Sequence, residues 1–299
     1  MFDTVPTLDC HGRCLRLDRP RIAGILNLTD DSFSGDGLHG DVAAALAQGQ
    51  LMVEQGADLL DVGAESTRPG AVPVDAAAEI ARVVPLIEAL AARVSVPISI
   101  DTSKPEVMRA AVAAGAGLIN DVYALRREGA LAAAAELGVP VCLMHMQGEP
   151  GSMQEAPHYN DVVGEVHRFL AERVFACEMA GIDKRRVLVD PGFGFGKTLE
   201  HNLSLLRGLD RFRGLAAGVF VGLSRKAMIG ALTGRSGGSD RAMGSAAAAL
   251  IAVQRGAAIV RVHDVVATRD ALAVWTAVHE GDATPARAAA AAPRWPEDD

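Results

Sequence analysis

The chain has 299 residues and a mass of 31.1 kDa, of which 49% are hydrophobic and 22% charged. That supports a large core and excludes a chain disordered throughout. A net charge of -8 without a basic stripe argues against nucleic-acid binding, and the lack of any apolar run of about 18 residues excludes a transmembrane helix.

The start, Met1-Phe2-Asp3-Thr4, lacks the basic and apolar pattern of a secretion signal, and four cysteines are too few for a disulfide framework. A cytoplasmic protein is therefore expected. Residues 1–20 precede the first strand and are expected to cover the bottom of the fold. Short apolar runs then predict strands over 22–27, 58–63, 97–101, 117–121, 139–145, 186–190, 218–223 and 258–263. Their near-continuous apolar character is that of parallel strands buried on both faces. Helical patterns alternate with them over 41–55, 75–92, 105–114, 128–136, 160–179, 199–207, 243–254 and 265–279. Asp41 and Asp75 read as N-caps, and Lys104-Pro105 suits a first helical turn. The Ala-rich segment 244–254 reads either as a subunit contact or as ordinary packing on the sheet. Residues 282–299 read as a frayed tail, leaving one domain over 1–281. Eight strands alternating with eight helices predict an α/β fold, a single (β/α)8 TIM barrel with a parallel eight-stranded core; a doubly wound open sheet is the alternative.

Nearly every strand ends in a polar residue followed by a Gly- or Ser/Thr-rich loop. The ends are Asn27, the loop after Asp61, Asp101, Asn120-Asp121, His145, Asp190, Ser224-Arg225-Lys226 and Arg261-Val262-His263. In a barrel these ends converge on one face, where active sites are built. Asp101, Asn120 and Asp190 come from the middle strands, whereas Lys226, Arg261 and His263 come from the last two. The ring therefore reads as bipolar, with a phosphate side and a side for a group rich in N–H donors. Helix capping is the competing role for the aspartates, and is the preferred one for Asp121.

Other motifs carry less. The segment 192–198, GFGFGKT, lacks the first glycine of a phosphate loop, because Pro191 stands there, so its glycines are expected to shape a bend beside the site. Cys10 and Cys14 have no second ligand pair for zinc. His145 reads as a satisfied strand-end histidine. No Gly-x-Ser-x-Gly elbow occurs.

Seven stretches together resemble the dihydropteroate synthase family of pterin-binding enzymes: GILNLTDDSFS (24–34), GADLLDVGAESTRPGA (56–71), SIDTSKPEVMRAAVAAGAGLINDV (99–122), MHMQGEP (144–150), DPGFGFGKTLEHN (190–202), VGLSRKAMIG (221–230) and GSAAAALIAVQRGAAIVRVHDV (244–265). The resemblance implies that 4-aminobenzoate displaces pyrophosphate from 6-hydroxymethyl-7,8-dihydropterin pyrophosphate, giving 7,8-dihydropteroate for folate synthesis. It also implies that Asp101, Asn120, Asp190 and Lys226 grip the pterin. Asn27, Arg68, Arg261 and His263 would serve the pyrophosphate, with Mg2+ near Asn27, and Thr67, Pro69 and Phe33 would help form the aminobenzoate site. A homodimer is the expected assembly. The sequence departs from the family pattern at Asp30, where Pro is usual, around Gly35-Asp36-Gly37, and at Ala227, where Ser is usual. Weaker aminobenzoate affinity is expected from Asp30 and Ala227. Two rival readings are a corrinoid methyltransferase barrel, which needs no pyrophosphate clamp, and a paralogue without catalysis.

Overall fold

The computed structural model describes residues 5–29, 41–66 and 74–280. It opens with an antiparallel hairpin, β1 (Thr7–Cys10) and β2 (Arg13–Arg16). Its turn passes through His11 and Gly12 at positive φ, and Asp9 closes it by accepting the Gly12 N–H at 2.7 Å. Eight parallel strands follow: β3 (Arg21–Asn27), β4 (Leu59–Gly63), β5 (Ile98–Asp101), β6 (Leu118–Asp121), β7 (Val141–Met144), β8 (Val187–Asp190), β9 (Gly218–Gly222) and β10 (Ala257–Val262). They form a closed barrel in which β10 pairs with both β9 and β3. The barrel expectation holds, and the open sheet is excluded by that closure.

The surrounding helices are α1 (Val42–Glu54), α2 (Ala76–Ala91), α3 (Pro105–Ala113), α4 (Ala130–Leu137), α5 (Val162–Met179), α6 (Leu199–Arg207), α7 (Ala227–Thr233), α8 (Ala242–Gln254) and α9 (Val265–Glu280). The predicted caps are formed. Asp41 accepts the Ala43 and Ala44 N–H groups at 2.9 and 3.1 Å, and Asp75 accepts that of Ala78 at 2.7 Å. Each such cap stabilises its helix by about 1 kcal/mol. The sequence reading missed α7, a seven-residue helix whose Gly230 and following Gly234 resemble loop chemistry. Gly230 is required there because the Arg235 carbonyl and the Arg241 guanidinium leave no room for a Cβ.

Side-chain alternation splits the core in two. Outward-facing Leu26, Leu60, Ile100, Ile119, Leu143, Val189, Val221 and Val260 meet the helices in the main hydrophobic core. Inward-facing Ala23, Leu59, Leu118, Cys142, Leu188, Phe220 and Ile259 form a separate apolar layer, joined by Leu8, Cys10 and Leu15 of the hairpin. The hairpin therefore seats on the N-terminal end of the barrel. Gly117, just before β6, makes this possible, since a Cβ would strike the Cys10 backbone. No helix among the described residues is long and apolar enough to cross a membrane.

Candidate active site

Two residues above the apolar layer, the same inward faces turn polar. Leu59 gives way to Asp61 on β4, Leu118 to Asn120 on β6, Leu188 to Asp190 on β8 and Ile259 to Arg261 on β10. Because a period-2 strand returns to the same face every second residue, these side chains share the lumen.

Arg261 occupies the centre of this layer. Its Nε donates to Asp61 Oδ2 and its Nη2 donates to Asp101 Oδ2 at 3.0 Å. Asn120 Nδ2 donates to the same Asp61 oxygen at 3.2 Å. Asp61 is fully buried, whereas the Arg261 and Asp101 side chains each keep 20% of their surface exposed. Asp61 therefore orients its neighbours from beneath, and Arg261 and Asp101 are reachable from the mouth. Asp61 Oδ1 has no hydrogen-bond partner among the described residues. Burial, reinforced by Asp61, lifts the Asp101 carboxyl to about 7 despite Arg261. Burial opposes the Arg261 charge, but Asp61 and Asp101 outweigh it and hold its pKa above the usual value.

This geometry corrects the bipolar ring expected from sequence. Arg261 does not stay on a basic side; it sits between two carboxylates borne by β4 and β5. Its strand neighbour β3 presents Ala23 beside it, so the carboxylates within reach of its long arm lie across the lumen.

On the opposite wall, Asp190 is buried and accepts the Gly192 N–H at 2.7 Å. Burial raises its pKa, against the opposing charge of Lys226. Lys226 donates to the Phe193 carbonyl oxygen and lies 4.7 Å from the centre of the Phe195 ring. Burial lowers the Lys226 pKa to about 8, although Asp190 works to keep it charged. Next to it, Arg225 adopts a left-handed conformation, φ 56°, with its guanidinium bonded to both Asp264 oxygens at 3.0 and 2.6 Å. That fork and the Ser245 hydroxyl, which accepts the Arg225 N–H at 2.9 Å, fix the turn that delivers Lys226.

His263 lies one residue beyond β10, with its Nδ1 3.0 Å from the Ser224 hydroxyl. Asn27 ends β3 half-buried at the same face. The helix-capping role expected for Asp121 is not the one it takes: its two oxygens accept the Tyr123 and Leu125 N–H groups, both at 2.8 Å, in the turn after β6, whereas Gly129 stands at the start of α4. Phe33, Thr67, Arg68 and Pro69 lie outside the described residues, as do Asp30 and Gly35-Asp36-Gly37. The base of the second loop is described: Glu65 takes Lys104 Nζ at 2.8 Å and the Val74 N–H at 3.1 Å. Lys104 also binds the buried Glu79 at 2.5 Å. Sequence reasoning gave no role to Asp61; its signal was its parity with Leu59, which marks it as inward-facing.

No cluster of three His, Cys, Asp or Glu side chains suited to a metal occurs among the described residues. Asn27 supplies an amide oxygen that no protein hydrogen bond engages among the described residues. A hard oxygen donor of that kind fits Mg2+, which is commonly held by one or two protein oxygens together with substrate phosphates.

Residues 23–263 match the family model described as pterin binding enzyme. The chain is 52% identical over 267 residues to dihydropteroate synthase of Escherichia coli (strain K12), covering 89% of this chain and 94% of that one. Its fold superposes on Xanthomonas albilineans dihydropteroate synthase with 4-aminobenzoic acid at a TM-score of 0.86 and 61% identity, over 92% of this chain and 98% of that one. The same enzyme in complex with 7,8-dihydropteroate gives a TM-score of 0.83 at 59% identity, over 91% and 98% of the two chains.

Proposed function

Because the chain belongs to the pterin-binding enzymes, and among them to the dihydropteroate synthases, we propose that its barrel mouth joins 6-hydroxymethyl-7,8-dihydropterin pyrophosphate to 4-aminobenzoate. The products are 7,8-dihydropteroate and pyrophosphate, and the reaction is a step of folate biosynthesis. The observation that carries this assignment to the site is the polar layer built around Arg261, Asp61 and Asp101.

Asp101, Asn120, Asp190 and Lys226 hold the pterin. A carboxylate accepts two parallel N–H bonds, which suits the amino-pyrimidinone edge. Arg261, His263, Arg68 and Asn27 serve the pyrophosphate. Thr67, Pro69 and Phe33 line the aminobenzoate side. The C–O bond breaks first, and its electron pair leaves with pyrophosphate. Positive charge then develops on the pterin methylene and ring, where Asp101 and Asp190 stabilise it as fixed groups needing no reorganisation. The neutral arylamine nitrogen attacks the methylene and loses a proton afterwards, so no strong general base is required. Asn27 would hold Mg2+, which would supply positive charge for the pyrophosphate leaving group.

We extend the proposal to a homodimer. Exposed Met243 and Ile251 on α8, with Val274 and Val278 on α9, supply apolar surface for it. Incubating the protein with both substrates and Mg2+ should release pyrophosphate in step with dihydropteroate. Absence of release from folded protein would overturn the catalytic reading in favour of a binding paralogue.

A further inference from the structure

The segment after β8 plays no direct part in the roles above, yet it carries Lys197, the lysine that is buried among the described residues. Lys197 Nζ lies 2.9 Å from His145 Nδ1, 2.9 Å from the Phe195 carbonyl oxygen and 3.4 Å from the His145 carbonyl oxygen. No carboxylate forms an ion pair with it among the described residues. Nζ thus meets three groups able to accept its hydrogens, His145 Nδ1 among them when that imidazole carries its proton on Nε2. Burial pushes the Lys197 pKa well down. Burial and the Lys197 charge together keep His145 neutral, at about 2.

This arrangement is expensive as mere filling. A buried amino group loses its hydration, charged or neutral, and a methionine of similar length would occupy the same space without that loss. The segment it anchors also has a consequence for the site. Gly192, Gly194 and Gly196 all take positive φ, and a Cβ on Gly192 or Gly196 would strike the carbonyl of His145 or Gln147. The backbone thus lies directly against the end of β7. Tyr159 Oη donates to the Gly196 carbonyl at 2.9 Å, and the Gly194 N–H donates to Asn202 Oδ1 at 2.7 Å. Between these anchors stand the Phe193 carbonyl and the Phe195 ring, the two groups that receive Lys226.

We infer that Lys197 is a positioning residue for the pterin side of the site: it ties the His145 imidazole to the Phe195 carbonyl and so fixes the segment against which Lys226 is set. The inference rests on the reading that Lys226 holds the pterin. It assigns a role to the GFGFGKT motif that phosphate binding does not supply, since a lysine buried this way cannot reach a phosphate at the mouth.

The test compares Lys197→Met, Lys197→Arg and Lys226→Met with the unaltered enzyme. Both KM values and kcat are followed by pyrophosphate release, and folding is checked by circular dichroism. Lys197→Met is expected to raise the KM for the pterin pyrophosphate about tenfold and leave that for aminobenzoate within about twofold, with partial recovery in Lys197→Arg. A folded Lys197→Met enzyme with an unchanged pterin KM, or with both KM values raised equally, would overturn the inference. Lys226→Met separates the two levels: if it too leaves the pterin KM unchanged, the reading of Lys226 is what fails. Should the Lys197 variants not fold, nitrogen-15 NMR of the unaltered protein still decides. His145 Nδ1 should resonate as a hydrogen-bonded nitrogen, and an Nδ1 free of a hydrogen bond would refute the arrangement.

Discussion

The floor and the mouth of this barrel are built on the same inward strand faces, one layer apart, and share almost no chemistry. Leu59, Leu118, Leu188, Phe220 and Ile259 meet the hairpin in a dry plug. Two residues further along their strands stand Asp61, Asn120, Asp190, Gly222 and Arg261. At about 3.3 Å of rise per residue, only some 7 Å separates an apolar layer from a layer of bonded polar and charged side chains. Burial is common to both, so burial alone does not mark function. What marks it is a buried charge whose partners come from strands distant in sequence.

That separation can be broken from either side. The largest effect is expected in the floor. Phe220→Ala should cost about 3–5 kcal/mol of unfolding free energy in a denaturant titration while leaving both KM values close to normal. In the mouth the balance should reverse. Asp190→Asn should lower kcat/KM about a hundredfold, about 2.7 kcal/mol in the barrier, with a much smaller change in the unfolding midpoint. Asp61 belongs to both regimes, being fully buried and bonded to Arg261 and Asn120. Asp61→Asn should therefore lose about 2 kcal/mol of stability and also weaken turnover, and a loss confined to one readout would show that the layers are independent at this point.

Titration sharpens the same contrast, because the floor residues carry no charge that changes near neutrality. With the Asp101 carboxyl raised to about 7, its cluster with Asp61 and Arg261 gains the reactive carboxylate as pH climbs through that value. Lys226, lowered to about 8, loses its charge above it. The kcat/KM profile for the pterin substrate should therefore rise toward 7 and fall beyond 8, declining about tenfold per pH unit on each outer limb. The smallest effect is expected at the rim. Ala227 is exposed at the start of α7. Converting Ala227→Ser together with Asp30→Pro should lower the aminobenzoate KM a few-fold, by restoring the hydroxyl and removing the negative charge at which the sequence departs from the family pattern. An unchanged KM would remove both departures from consideration.

The strand pattern was legible because each strand is a short apolar run set between helical periods. The polar residues at the strand ends were legible because barrel topology brings such ends together. What the sequence hid depends on reach. Nothing in the local pattern around Arg261 says that its guanidinium crosses to β4 and β5. Nothing around Lys197 says that it turns inward to His145, 52 positions away. The hairpin at residues 7–16 escaped notice because two four-residue strands are too short for periodicity to register. Asp61 was passed over because it lies two residues inside its strand, among apolar neighbours, rather than at its end.

The hairpin has a further consequence. With Leu8, Cys10 and Leu15 closing one end, the barrel is a well with a single opening. Traffic in such a well is last in, first out. On the proposed reading, which rests the pterin on the polar layer, the pterin arrives before whatever lies above it and the joined product withdraws its deep end last. Plugging the floor thus imposes a sequence of events on the chemistry at the mouth without any residue of the plug touching a substrate.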